Sequence, residues 1–287
     1  MDWIELCKAI LFGVVEGITE WLPISSTGHM ILLNEFIRLD VSESFYSMFQ
    51  VVIQLGAILA VVLLFWNKIF PFGKKSNTQP MASNGLLSYV KKDKMILWMK
   101  IIFACIPAAV VGLCFDEYFE SLFYNYVCVA AALIVFGVAF LIIENMHKGK
   151  ESAIQSLESL DWKTAFYIGI FQLLAAIFPG TSRSGATIIG ALLLGVSRTV
   201  AAEFTFYLAI PVMFGASLLK IVKFGFHFTS METILLITAM ITAFLVSVAV
   251  IRFLMEYIKK HDFKIFGWYR IVLGIILLVY YFAGSFA

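Results

Sequence analysis

Glu16 and Glu20 stand four residues apart in an apolar stretch, so a helix there shows both carboxylates on one face. A carboxylate in such surroundings costs several kcal/mol unless it is partnered. Two on one face point to a divalent cation, a shared proton or an arginine; the plain alternative is a pair of acids solvated in a wet vestibule. Just downstream, Pro23-Ile-Ser25-Ser26-Thr27-Gly28-His29 offers three hydroxyls, a flexible glycine and an imidazole. A serine or histidine beside an acid suits nucleophilic or acid–base work. Taken alone, a Ser-Ser-Thr run is a helix cap, and in either case the amides opening the next helix form an anion site.

A second cluster, Pro179-Gly-Thr181-Ser182-Arg183-Ser184-Gly-Ala-Thr187, is a glycine- and hydroxyl-rich turn holding one arginine. Arg183 is permanently charged and presents a fork of donors matched to phosphate; the plain reading is a structural ion pair with Glu16 or Glu20. Arg198, in Gly195-Val-Ser-Arg198, either adds charge to the site or snorkels at an interface. Gln54 and Glu203 are further polar groups at span edges, and Gln54 bonds either to a turn or to a neighbouring helix. Helix N-termini and arginine favour an anion, and the acids favour a metal on it. Together these groups are a phosphoryl-transfer set, and a substrate reaching them from a bilayer would be a lipid phosphate.

The elements that must position these residues follow from composition. Of 287 residues, 61% are hydrophobic and 14% charged, with a net charge of +2 and a mean hydropathy of +0.93. A soluble fold would lack the charge to cover its surface, and no basic stripe marks a nucleic-acid binder. Cys7, Cys105, Cys114 and Cys128 lie in apolar stretches without ligand spacing, and read as small buried hydrophobes. The N-terminus lacks a basic signal-peptide region. Six runs reach the roughly 20 apolar residues a crossing requires: 45–66, 95–115, 121–143, 201–222, 233–251 and 266–286.

Residues 4–37 and 164–197 are apolar but broken by the two polar clusters. The piece after each break is too short to cross, so each region reads as a re-entrant helical hairpin with a polar tip. Irregular backbone at that depth must be buried in protein or line a wet cavity. The regions align without gaps at an offset of 156 residues, matching Gly13 to Gly169, Glu16 to Gln172, Pro23 to Pro179 and Ser26 to Ser182. The chain is therefore expected to be all-α and polytopic: a first repeat over 1–145 and a second over 160–287, each one hairpin and three spans. Three crossings separate the hairpins, so the repeat is inverted, an arrangement that places binding sites near the midplane.

Loop charge orients the chain. Lys68, Lys74, Lys75, Lys91, Lys92, Lys94 and Lys100 mark one face as cytoplasmic; Arg252, Lys259, Lys260, Lys264 and Arg270 around 252–270 agree. Asp116, Glu117 and Glu120 mark the other face, against a contrary vote from Lys220 and Lys223. Glu5 and Lys8 read as interfacial.

The two polar turns resemble the signatures of the undecaprenyl-pyrophosphate phosphatases, the bacitracin-resistance family. The resemblance rests on Glu16-Gly-Ile-Thr-Glu20-Trp-Leu-Pro-Ile-Ser-Ser-Thr-Gly-His29 and on Pro179 to Thr187, supported by Val52-Ile-Gln-Leu-Gly56 and by Gly195-Val-Ser-Arg198 through Glu203-Phe. It implies hydrolysis of undecaprenyl diphosphate to the monophosphate and phosphate, in a bacterial cytoplasmic membrane; access from the outer face is favoured, while the sequence leaves open which face the site opens to. It further implies a divalent cation, Mg2+ or Ca2+, and resistance to bacitracin, which sequesters the lipid rather than binding the protein. It leaves a homodimer open.

Carried over, Glu16 and Glu20 hold the metal or activate the nucleophile, and Ser26 or His29 is the nucleophile or its acid–base partner. Arg183, Ser182 and Thr27 clamp the diphosphate, with Ser25, Gly28, Gln54, Thr181, Ser184, Thr187 and Arg198 around it. Attack by Ser26 with help from Glu20 is favoured, on the ground that Ser26 is duplicated as Ser182; a metal-activated water is the alternative. A lipid transporter or flippase is the competing class, since inverted repeats with broken helices serve transport.

Overall fold

The computed structural model describes residues 3–73, 77 and 79–284; Lys74 and Lys75 lie outside the described residues, as do the end of the last expected span and the side chains of Asp116, Glu117 and Glu120. Among the described residues the chain is helical, with isolated β-bridges and no strand. The helices are α1 Trp3–Thr19, α2 Ser26–Phe36, α3 Glu43–Val52, α4 Gln54–Leu64, α5 Trp66–Ile69, α6 Lys92–Phe123, α7 Tyr126–Met146, α8 Trp162–Ile177, α9 Arg183–Leu193, α10 Arg198–Phe224, α11 Ser230–Tyr257 and α12 Lys264–Gly284.

Six segments are long and apolar enough to cross a membrane: Glu43–Leu64, Lys92–Phe115, Tyr126–Met146, Arg198–Phe224, Ser230–Tyr257 and Lys264–Ala283. Their outward faces carry apolar stripes at helical spacing, such as Ile102, Ile106, Val110 and Leu113 on α6 and Ile237, Ile241 and Leu245 on α11. Water would penalise stripes of this size, whereas lipid matches them. The chain is a multi-pass membrane protein.

Boundaries move where local chemistry competes with hydropathy. The span expected at 45–66 is interrupted at Ile53, between α3 and α4; the Ser217 hydroxyl on α10 donates to the Val51 carbonyl at 3.1 Å beside the break. Residues 121–123 finish α6 rather than open the next span, because the Asn125 side chain caps α7 by accepting the Cys128 amide at 3.0 Å. Of the cysteines, Cys105 is buried but Cys7 and Cys114 are exposed on helix surfaces, since an apolar residue in this chain can face lipid as readily as the core. Glu5 and Lys8 do pair, at 2.5 Å, and Glu5 also accepts the Asp40 amide at 2.9 Å.

Small residues set the crossings that carry the two turns. Helix α1 packs along α11, and α8 packs along α6. A Cβ on Gly13 would lie 2.5 Å from the Ala239 carbonyl oxygen, and one on Gly169 would fall onto the Ala104 backbone. Backbones meet this closely only at glycine, the usual device of helix contacts in lipid. Gly169→Val is therefore expected to cost about 3 kcal/mol, because a carbonyl cannot turn aside as a side chain can. The check is a lowered thermal unfolding midpoint in detergent; an unchanged midpoint would mean that the α6–α8 crossing can open to admit a side chain at little cost.

Candidate site at the two turns

Each polar turn is built the same way. Ser25 caps α2, its Oγ accepting the Gly28 amide at 3.4 Å; Ser182 caps α9, its Oγ accepting the Gly185 amide at 3.2 Å. Both serines have positive φ, 71° and 68°, a region costing non-glycine residues about 1–3 kcal/mol each and held only where the surroundings over-determine it. Equivalence by cap thus links Ser25 to Ser182, an offset of 157. This corrects the sequence pairing of Ser26 with Ser182: the second turn holds one more residue after its proline, so Arg183 takes the place of Ser26.

The turns meet through Glu20. Its Oε2 accepts the Ser26 hydroxyl at 2.9 Å, and its Oε1 accepts Arg183 Nη2 at 3.0 Å. The Ser184 hydroxyl donates to the Glu20 carbonyl at 3.2 Å. Arg183 Nη1 donates to the Thr205 carbonyl of α10 at 3.0 Å, and the Thr205 hydroxyl lies 2.9 Å from that of Thr187. Glu20 and Ser184 are buried, so these charge-assisted bonds act in a low dielectric. Trp21, fully buried edge-on to Phe206, wedges the first turn against α10.

Several buried polar atoms here have no hydrogen-bond partner among the described residues: both oxygens of Glu16, both amide atoms of Gln172, the Thr181 hydroxyl and Arg183 Nε. Buried polar groups are rarely left so, and orphans concentrated around two facing turns mark the place where a polar ligand is expected. Glu16 lies within electrostatic reach of Glu20 and Arg183. Gln172, which the sequence alignment paired with Glu16, is 2% exposed.

His29 is oriented at both ring nitrogens: Nδ1 bonds the Ser25 carbonyl at 2.7 Å and Nε2 the Tyr269 hydroxyl at 2.6 Å, with the two rings stacked. A carbonyl partner assigns the proton to Nδ1, so Nε2 accepts from the tyrosine. Thr27 and Gly28 lie in the first turn of α2.

Two expected residues lie elsewhere. Arg198 does not join the turns: its guanidinium forms a two-pronged pair with buried Glu144, Nε at 3.0 Å and Nη2 at 2.5 Å, and Glu144 also accepts the Phe263 amide. A buried acid one residue past the expected span 121–143 holds it there. Gln54 opens α4 at the break in its span, and no hydrogen bond joins it to either turn among the described residues. Glu203 is bound to Lys68 and Tyr207, each at 2.6 Å.

By sequence Arg270 falls both in the expected loop 252–270 and in the expected span 266–286. It lies inside α12 and is fully buried. Its guanidinium donates to the carbonyls of Pro23 in the first turn, at 3.2 Å, and of Gly180 and Thr181 in the second, at 3.1 and 2.7 Å. Charge at a span's edge looks like topology in a sequence; the usable signal is that Arg270 already falls inside the apolar run 266–286.

A cavity of about 280 Å3 opens where α2 ends, lined by Ile31, Glu35, Glu43, Tyr46, Gln50 and Tyr126. Tyr126, at the start of α7, bonds Glu35 at 2.8 Å.

Residues 9–276 match the family model described as bacitracin resistance protein BacA. The chain belongs to this family. Undecaprenyl-diphosphatase 1 of Clostridium acetobutylicum is 62% identical over 281 residues, covering 98% of this chain and 99% of that protein. The undecaprenyl-diphosphatase of Desulfitobacterium hafniense is 62% identical over 283 residues, covering 99% and 98%, and one from Enterococcus faecalis is 58% identical over 279 residues, covering 97% and 98%. The family match thus spans both turns, the first five candidate crossings and most of the sixth.

Proposed function

We propose that this chain is an undecaprenyl-diphosphatase, hydrolysing undecaprenyl diphosphate to undecaprenyl phosphate and inorganic phosphate. The observation that carries the chemistry is Glu20 holding the Ser26 hydroxyl and Arg183 at once, from opposite turns. Ser26 Oγ attacks the terminal phosphorus and passes its proton to Glu20. The bond to the bridging oxygen breaks, and undecaprenyl phosphate leaves. Water then hydrolyses the phosphoserine and frees phosphate. Arg183, the Ser182 and Thr27 hydroxyls and the opening amides of α2 and α9 hold the phosphoryl oxygens. His29 is already engaged at both nitrogens, which favours Ser26 over His29 as nucleophile and leaves His29 to orient the first turn.

Glu16 fits a divalent cation, since its buried carboxylate has no protein partner among the described residues and Glu20 lies one helical turn away. Mg2+ is commonly held by one or two carboxylates together with substrate phosphates. Such an ion would neutralise diphosphate charge during transfer. Chelation is expected to abolish phosphate release and added Mg2+ or Ca2+ to restore it. Glu16→Ala is expected to raise the metal concentration for half-maximal rate about tenfold or more; an unchanged metal titration would remove Glu16 from this role.

The finer architecture belongs to the same reading. Residues 4–37 and 164–197 are re-entrant hairpins, and 1–145 and 160–287 are inverted repeats. The shared positive-φ serine caps and the glycine crossings at Gly13 and Gly169 support the repeat. With the lysine-rich segment cytoplasmic, the end of α2 and its cavity face outward, so the site opens to the outer side of the bacterial cytoplasmic membrane. Bacitracin then competes for the lipid, not for the protein. Transport as the sole activity is not favoured, because the relatives above are named for hydrolysis. The deciding test is phosphate release from C55 diphosphate by the purified protein; absence of turnover with metal present would overturn the assignment.

A further inference from the structure

We propose that Arg270 is a positioning residue that locks the two turns together for phosphoryl transfer, a role that rests on the diphosphatase reading above. Its side chain is fully buried on α12, and four backbone carbonyls receive it: Pro23 in the first turn, Gly180 and Thr181 in the second, and Leu133 of α7 at 3.5 Å. Among the described residues no carboxylate pairs with it. A buried cation without an acid is kept only where dipoles replace water well, and here the replacing dipoles are the turns themselves.

The carbonyls it holds are placed to matter. Thr181 directly precedes Ser182, and Pro23 stands two residues before Ser25; these two serines carry the positive φ angles. Strained backbone of this kind persists only when its surroundings over-determine it. One planar guanidinium bonded on both sides ties the two caps to a single rigid group. A Cβ on Gly185 would lie 2.8 Å from Arg270 Nη1, so the guanidinium also lies against the opening turn of α9. Lysine keeps the charge but lacks the fork that spans two turns.

The test uses the full-length purified protein. Arg270→Met is expected to lower kcat for phosphate release from C55 diphosphate about 100-fold, and Arg270→Lys about 10-fold, with KM within about threefold, because misplacement by an ångström acts on the chemical step. Amide exchange, followed by mass spectrometry, is expected to accelerate in the peptides around 23–28 and 180–185 together and to stay unchanged along α11. Should Arg270→Met fail to fold, Arg270→Lys decides alone. A folded Arg270→Lys protein with wild-type kcat, or faster exchange in only one turn, overturns the proposal. Wild-type protein without turnover would overturn the diphosphatase reading instead, and the exchange result would still judge the coupling of the turns.

Discussion

Replacing Ser26 by alanine is expected to lower kcat for phosphate release about 10^3-fold or more, with little change in KM, because the change removes the attacking atom and leaves the binding groups in place. The expectation rests on geometry. The Ser26 hydroxyl already donates to Glu20 at 2.9 Å, which is the contact a general base requires. Glu20 is fixed in turn by Arg183, so nucleophile, base and orienting group form one chain of bonds. Duplication does not single out Ser26, since the cap geometry pairs Ser182 with Ser25. Acid-quenched reactions with substrate labelled at the terminal phosphate should place the label on the peptide around residues 23–28 in the wild type and nowhere in Ser26→Ala. A Ser26→Ala protein within tenfold of the wild-type rate would show that water attacks directly.

The second large effect is expected at Arg183. Arg183→Ala should reduce kcat/KM about 10^3-fold, equivalent to about 4 kcal/mol, by three losses at once. The diphosphate loses a forked cation, Glu20 loses its counter-charge, and the Thr205 carbonyl loses the Nη1 bond that ties the second turn to α10. Removing one partner of a buried ion pair is severe because the other charge is left uncompensated. Lysine should rescue little, since a point charge cannot bridge carboxylate and carbonyl together. Because Glu20 and Arg183 act as a unit, Glu20→Gln combined with Arg183→Ala should lose clearly less than the product of the single effects. Strict additivity, read from kcat/KM of the four proteins, would mean that the two residues act separately and that their 3.0 Å pair is incidental.

Much of this was readable in the chain before any coordinates. Hydropathy located the six crossings, because a bilayer imposes one length and one solvent on every span. Glu16, Glu20 and Arg183 stood out because charge at membrane depth is expensive. Proline, glycine and hydroxyl residues marked both turns through local backbone chemistry, and the structure builds a serine cap on each.

The misreadings share a cause. Arg198 and Arg270 both look like charges near span ends. Which of them reaches the turns depended on partners more than 50 residues away in sequence: Glu144 for one, the carbonyls of Pro23, Gly180 and Thr181 for the other. Ser26 and Ser182 align as letters, yet an added residue in the second turn shifts the equivalence by one, and the cap bonds and φ angles reveal that. Composition, span length and turn chemistry are local properties, and the order of residues carries them directly. The pairing of Glu20 with Arg183 and the burial of Arg270 are long-range outcomes, set by where helices cross, and here those crossings hang on single glycines packed against a distant backbone.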